Sequence, residues 1–175
     1  MFLFRVVTFI RKVVAFAVSH TVSTVGCLLW RFRLGEKMHR LALRINPDSV
    51  ANWLIFSSIL ERFGRYSEAE ETATVTLQRL PPFPRWGRLA RFLGKRALLV
   101  RASSLAHLGR YDEALRDIDV VLQIDPLCET ALVRGLGLLL RMGHYEDVVR
   151  LVKKTRQTIE GTLHEKDPLI VSLLS

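Results

Sequence analysis

Cysteine, proline and glycine are scarce in this sequence, with two, six and ten of them among 175 residues. Two cysteines, Cys27 and Cys128, cannot form a disulfide framework or a cysteine-rich zinc site, which argues against a small secreted scaffold. The five histidines lie far apart without metal-ligand spacing, and no nucleophile elbow or phosphate loop occurs. We therefore predict a protein that is not an enzyme and that uses no metal and no cofactor.

Acidic residues are also few, with 17 Asp and Glu against 26 Lys and Arg, which makes the formal net charge +9. A cationic surplus of this size predicts acidic partners, although it carries no information about the fold. Apolar residues make up 49% of the chain and charged residues 25%, so the chain can bury a core and is not a disordered tail. Its length suits one domain or one short repeat array.

A short motif recurs at 63–69, 108–114 and 142–148, and each copy places a glycine two residues before a tyrosine. The second and third glycines are 34 residues apart, whereas the first and second are 45 apart, which is the same period with an 11-residue insertion. Each glycine follows an apolar helical run, as a left-handed residue after a helix does, and acidic residues begin the next helix. Each copy therefore predicts an antiparallel helical hairpin that must stack on its neighbours to bury its apolar face.

The residues around these motifs resemble the tetratricopeptide repeat, a family built from such hairpins. In the first repeat, 50–83, the matching residues are Trp53, Phe56, Ser57, Leu60, Gly64, Tyr66, Ala69 and Pro81. In the second, 95–128, they are Leu98, Ala102, Leu105, Gly109, Tyr111, Ala114 and Pro126. In the third, 129–162, they are Leu132, Leu139, Gly143 and Tyr145. The resemblance implies an all-α protein, an α-solenoid of stacked antiparallel hairpins, with about three repeats and an insertion at about 82–94.

Several positions depart from the pattern of the family, among them Leu136 and Val148 where small residues are usual, and Thr76, Val121 and Thr155 where alanine is common. Arg101 and Gly135 stand where the family has a large apolar residue. The third repeat also lacks a closing proline, which makes it the weakest of the three matches.

Residues 16–49 are open to two interpretations. A stretch that ends near Pro47 has small residues at the positions where the repeat has them. This stretch therefore resembles a degenerate N-terminal repeat that lacks the turn glycine. An uncharged run of 18 residues overlaps it, which is barely long enough to span a bilayer, and serines and threonines interrupt its middle. Because valines recur at helical spacing, at Val14, Val18 and Val22, we favour a helix packed through this apolar stripe over a membrane-associated helix.

Residues 1–15 contain basic and apolar residues but no acid, and the first acidic residue of the chain is Glu36. A basic amphipathic helix of this kind suits an interfacial membrane anchor, a mitochondrial targeting segment or a helix that caps the first repeat. Membrane association through residues 1–30 therefore stays open, and we expect a mitochondrial or other organelle-membrane location, with the cytoplasm as the alternative. At the other end, 163–175 is predicted to be a capping helix, because an Asp-Pro helix start precedes an apolar run.

The insertion adds a basic stripe to the second repeat. Residues 72–110 contain no Asp or Glu, and one face of the helix predicted there carries Arg85, Arg88, Arg91 and Lys95. Solvated helix faces usually mix charge signs, so a stripe of one sign predicts contact with carboxylates or phosphates. We expect an acidic protein partner first and RNA second, since Trp86 and Phe92 are expected to pack in the core rather than to stack on bases.

The resemblance also implies a binding groove, because the first helices of such repeats line the concave wall of the solenoid. The residues at these positions are Leu54, Ser58, Arg62, Arg96, Leu99, Ser103, His107, Arg134 and Arg141. Some members of the family hold a chaperone C-terminal carboxylate with Lys and Asn, but only Arg134 suits that role here, so such a clamp is not expected. The groove mixes apolar and basic side chains, which suits an acidic or amphipathic protein segment.

These observations predict a non-catalytic adaptor or scaffold that binds such a segment and supports the assembly of a complex. One alternative is an RNA-associated assembly factor, for example one related to the ribosome, that uses the basic stripe. The other alternative is a membrane-anchored repeat receptor held by residues 1–30.

Overall fold

The computed structural model describes residues 2–29, 34–85 and 87–166, with the side chains of 11–24, 35–85 and 87–162. Within these ranges the chain forms eight α-helices and no strand. The helices are α1 Phe2–Leu29, α2 Leu34–Ile45, α3 Val50–Arg62, α4 Tyr66–Gln78, α5 Arg88–His107, α6 Tyr111–Ile124, α7 Glu129–Met142 and α8 Tyr145–Lys166. Consecutive helices pair as hairpins, and the hairpins stack so that α4 packs on α5 and α6 packs on α7.

The predicted glycine turns are confirmed in all three repeats. Gly64, Gly109 and Gly143 have φ values of 74°, 78° and 75°, a left-handed conformation that strains any residue with a Cβ. The residue after each glycine donates its backbone N–H to a carbonyl in the last turn of the preceding helix, at 3.0 Å, 2.9 Å and 2.9 Å. These hydrogen bonds provide donors for carbonyl groups that would otherwise have no partner at the end of the helix.

Two clusters of buried side chains form the core, and each draws on three consecutive helices. The larger joins α5, α6 and α7 through Leu98, Ala102, Leu105, Ala114, Ile118, Val121, Ala131 and Leu138. The smaller joins α2, α3 and α4 through Leu43, Phe56, Leu60 and Ala69. Burying one large aliphatic side chain stabilises a fold by about 2 kcal/mol, and a hairpin that stood alone would lose these contacts.

The insertion before the second repeat coincides with a long first helix. Helix α5 has 20 residues, whereas α3 has 13 and α7 has 14. Pro81 and Pro82 separate α4 from the start of α5 at Arg88. Trp86, for which the sequence predicts a place in the core, lies outside the described residues.

The first and last described helices have bounds other than those of the segments predicted from the sequence. Helix α1 is continuous from Phe2 to Leu29, so 1–15 and 16–29 share one helix and no helix end falls at residue 15. Helix α8 continues to Lys166, and the rest of the predicted capping helix 163–175 lies outside the described residues. Of the helices described, none has the length and apolar character that crossing a bilayer requires.

The N-terminal hairpin packs through polar side chains instead of the predicted valine stripe. Ser19, Ser23 and His39 are fully buried in it, whereas Val14 and Val18 are 54% and 44% exposed. The prediction that this helix packs through its valine stripe is therefore wrong. The Ser23 hydroxyl is hydrogen-bonded to Nδ1 of His39 at 3.0 Å. Small serines let the two helices approach closely, and the hydrogen bond offsets the cost of burying both polar groups.

Arg101, which departs from the repeat pattern, has a buried partner on the next helix. Its guanidinium donates two hydrogen bonds to the Asp117 carboxylate, at 2.7 Å and 2.6 Å, and Asp117 is only 4% exposed. This carboxylate raises the pKa of Arg101 further above its usual value. The large apolar residue of the repeat pattern is thus replaced by an ion pair between α5 and α6.

We expect the protein to lose stability on mild acidification because of His39. Burial lowers the pKa of His39 to about 4 from 6.5, so the unfolded chain binds more protons between these values. The contribution of His39 to the free energy of unfolding should therefore be greatest above pH 7 and fall by roughly 2–3 kcal/mol by pH 4.5. Urea titrations at several pH values measure this. A His39→Asn variant should show a flatter pH dependence, and the exposed His20→Asn variant should keep the wild-type dependence. An unchanged slope in His39→Asn would contradict the assignment.

We also expect Asp117→Ala to destabilise the fold by about 2–3 kcal/mol, because it leaves the half-buried Arg101 guanidinium without a carboxylate. Urea unfolding at pH 7 measures the loss. The paired replacement Arg101→Met with Asp117→Leu removes both charges and should recover most of it. If the double variant is as unstable as Asp117→Ala, the loss does not come from an unpaired cation.

Candidate functional site

An open groove of about 260 Å³ lies between α5 and α7. Its floor is apolar and is formed mostly by small residues: Ala102, Ala106, Ile118, Gly137 and Leu138. Its polar lining consists of Ser103, His107, Arg134 and Arg141, all of which are among the residues predicted on the sequence. The structure thus brings together in one groove four of the predicted residues of the second and third repeats, whereas Arg96 and Leu99 do not line it.

Arg134 is held in place across three helices. Its guanidinium donates a hydrogen bond to the Leu99 carbonyl oxygen on α5 at 2.6 Å, and it lies 3.6 Å from a carboxylate oxygen of Glu61 on α3. The first contact orients the planar guanidinium at the groove, and the second neutralises part of its charge. Glu61 is not among the predicted groove residues, although its position next to Arg62 at the end of the first helix could have pointed to it.

The other arginines of the predicted wall keep their charge available, and of these Arg141 lines the groove. Arg62, Arg96 and Arg141 are exposed, and none of them forms an ion pair with a carboxylate in the described part of the chain. Arg96 lies over the ring of Phe92, with 5.9 Å between the guanidinium carbon and the ring centroid. A carboxylate brought in by a partner could pair with Arg96 or Arg141 without breaking an existing ion pair.

His107 is fixed by an aromatic contact with the neighbouring hairpin. Its ring stacks on Tyr66, the first residue of α4, with 4.0 Å between ring centroids. The sequence identifies Tyr66 only as the turn aromatic of the first repeat. The contact holds the groove end of α5 against α4, so the repeat turn helps to position a groove residue.

Most of the predicted groove residues on α3 are not accessible to a partner. Leu54 is only 5% exposed and contributes to the core, not to a binding surface. The Ser58 hydroxyl donates to the Leu54 carbonyl oxygen at 2.9 Å and is half-buried, as is Leu99 on α5. Helix α3 packs against both α1 and α5, which covers these side chains. The accessible groove is therefore concentrated between α5 and α7.

The basic stripe lines a second, more open recess of about 460 Å³. Arg88, Arg91 and Lys95 share this recess with Phe92 and Asp125. The Asp125 carboxylate lies 2.7 Å from Nζ of Lys95 and raises the pKa of Lys95. The stripe itself carries one sign, but Asp125, the residue that caps the C-terminus of α6, adds a carboxylate to its recess from outside the acid-free run. Arg85, the fourth member, does not line the recess.

Phe92 also departs from expectation. It is 55% exposed rather than packed in the core. An exposed aromatic ring among cationic side chains is a surface on which an unpaired base can stack. The recess thus has an aromatic component that the sequence does not predict.

Metal ligation and nucleophilic chemistry find no support in the described side chains. No group of three or more His, Cys, Asp or Glu residues among them lies close enough to hold a metal ion. Cys128 is a half-buried free thiol at the start of α7.

The stacked hairpins, the left-handed glycine turns and the groove between first helices define an all-α, tetratricopeptide-like solenoid. Among solved structures, the chain is similar to a mutant form of MamA, a protein that contains tetratricopeptide repeats. The TM-score is 0.62 and the identity 16%, over 79% of this chain and 76% of that one. At this identity the similarity shows the fold alone. No protein-family model and no curated protein sequence matches the chain.

Proposed function

We propose that the protein is a non-catalytic adaptor that binds an acidic, amphipathic protein segment in the groove between α5 and α7. The observation that carries this proposal is the composition of the groove, in which an apolar floor is lined by arginines. Helical repeat folds of this kind present extended concave surfaces to their partners. A location at a mitochondrial or other organelle membrane stays a prediction, as does the cytoplasm as its alternative.

The floor of the groove suits apolar side chains of a partner. Ala102, Ala106 and Gly137 carry one side-chain carbon or none, which leaves depth for larger side chains from outside. Fully burying one large apolar side chain contributes about 1.5–3 kcal/mol. A segment with two or three such side chains on one face would gain most of its affinity here, whether it binds as a helix or in an extended form.

The arginines select the charge of that segment. Exposed ion pairs contribute about 1 kcal/mol or less each, so Arg96 and Arg141 act mainly on association rate and on discrimination between partners. Arg134 is already ordered by the Leu99 carbonyl, so binding a carboxylate costs little additional side-chain entropy. An acidic segment is favoured because a basic one would meet Arg134 and Arg141 in the groove, with Arg96 about two turns along α5 from Ser103.

RNA binding by the recess of the basic stripe is the second candidate function. The exposure of Phe92 beside Arg88 supports it, because single-stranded RNA is held by stacking together with phosphate contacts. Asp125 argues against RNA binding, because its carboxylate in the recess repels phosphate and is already paired with Lys95. The protein partner therefore remains our first proposal.

Reversing the charge of Arg141 in the groove and of Arg96 further along α5 should weaken the binding of an acidic segment. The probe is an acidic, amphipathic peptide selected from a synthetic library against the full-length chain and labelled for fluorescence anisotropy. We expect Arg96→Glu with Arg141→Glu to lower the affinity by at least about tenfold. Arg134 is left intact because its contacts with α3 and α5 also serve the fold. The matched control is Arg116→Glu, a reversal at an exposed site on α6 that does not line the groove. Equal affinity in the groove variant and the control would refute the proposed site.

The RNA alternative makes its own prediction, which a salt titration with single-stranded RNA tests. If RNA occupies the recess, the logarithm of the association constant falls by about 0.7 per contacted phosphate for each logarithmic unit of salt. Phe92→Ala and Arg88→Glu should then each reduce binding several-fold. RNA binding that neither variant changes would exclude the recess as the RNA site.

A further inference from the structure

Helix α1 extends well beyond the hairpin that it forms with α2. It has 28 residues and α2 has 12, which at 1.5 Å per residue gives lengths of about 42 Å and about 18 Å. The side chains from Arg11 to Val14 are all exposed, so this part of α1 does not pack on the repeats. A large part of the helix surface is therefore available for an interaction.

The polarity of α1 is inverted relative to an ordinary packed helix. Its buried side chains include Ser19 and Ser23, which are fully buried. Its exposed side chains include the large apolar residues Val13, Val14, Phe16 and Val18, at 49%, 54%, 53% and 44% exposure. A surface helix normally places its apolar residues towards the core and its polar residues towards water. An exposed patch of the opposite kind is typical of an interaction surface.

The polar residues have a structural reason to face inwards. The Ser19 hydroxyl donates to the Phe16 carbonyl oxygen at 3.0 Å, and Ser23 is hydrogen-bonded to His39. Rotating α1 to bury its valines would break the contact with His39 and leave that buried imidazole without this partner. The apolar patch is thus held outwards by the packing of α1 on α2.

The charges beside the patch are of one sign. Arg11 and Lys12 are exposed at its N-terminal side, and no acidic residue occurs before Glu36. At 100° per residue, Val13 and Val14 point away from the buried serines and Phe16 and Val18 lie to either side of this pair. Arg11 lies beside Val18, and Lys12 lies on the same side of the helix as the serines. An apolar strip between cationic side chains matches a membrane surface, where aliphatic groups enter the acyl boundary and cations meet lipid phosphates.

We propose that α1 lies in the plane of an anionic membrane surface, with Val13, Val14, Phe16 and Val18 inserted and Arg11 and Lys12 at the headgroups. The helix rests on the bilayer and does not cross it. Because the α5–α7 groove is formed by other helices, it stays open while α1 is bound. The proposal is independent of what the groove binds.

Vesicle flotation with the full-length chain tests this proposal. We expect binding to vesicles of phosphatidylcholine with phosphatidylserine, and markedly weaker binding to phosphatidylcholine alone. Val14→Asp with Phe16→Asp should lower the bound fraction on anionic vesicles about tenfold. Arg11→Gln with Lys12→Gln should remove most of the preference for the anionic lipid. The matched control is Val133→Asp with Leu89→Asp, two exposed apolar positions on other helices that should leave binding unchanged.

A second readout separates membrane insertion from loss of folding. In a Phe16→Trp variant, the tryptophan emission should shift to the blue when anionic vesicles are added, and circular dichroism should show unchanged helicity. Wild-type chain that does not float, or Asp variants that bind as well as wild type, would overturn the proposal. So would a dimer in solution that the Asp variants dissociate, because the patch would then be covered by a second copy.

Discussion

The rest of the structure depends on the stacking of the hairpins, because the buried side chains of each described core cluster come from more than one hairpin. The two core clusters each cross three consecutive helices, so the order of the hairpins along the chain is also their order in space. Left-handed glycines reverse the direction of the chain after α3, α5 and α7. The functional groove follows from the same arrangement, because stacking places α5 and α7 beside each other with Ile118 of α6 beneath them.

The repeat architecture could be predicted from the sequence because its main determinants are local. A left-handed turn requires a residue such as Gly109, and the helices on either side of it are continuous apolar patterns. The register of the repeat then places Ser103, Arg134 and Arg141 on the same side of the solenoid, where the structure has them. Leu54 shows the limit of this reasoning, because its burial depends on the neighbours of α3 and not on its position in the repeat.

Features that depend on contacts between distant residues could not be predicted in this way. The run of residues without acids suggests an uncompensated charge, yet Lys95 pairs with the carboxylate that caps α6 and Arg101 with one on α6, 30 and 16 residues further along the chain. The orientation of α1 differs from its prediction for a similar reason. The hydrophobic pattern predicts that the valines of α1 are buried. The hydrogen bond between Ser23 and His39 instead favours burial of the opposite face of the helix.

Site-specific photo-crosslinking tests the central claim, that this solenoid docks a protein segment in the α5–α7 groove, most directly. A photoreactive residue at Ser103 reports on the groove, and one at Arg116 reports on an exposed site outside it. The account predicts crosslinks from position 103 to acidic, amphipathic polypeptide segments, insensitive to ribonuclease, with few from position 116. Crosslinks of equal yield from both positions, or adducts at position 103 that ribonuclease removes, would contradict it.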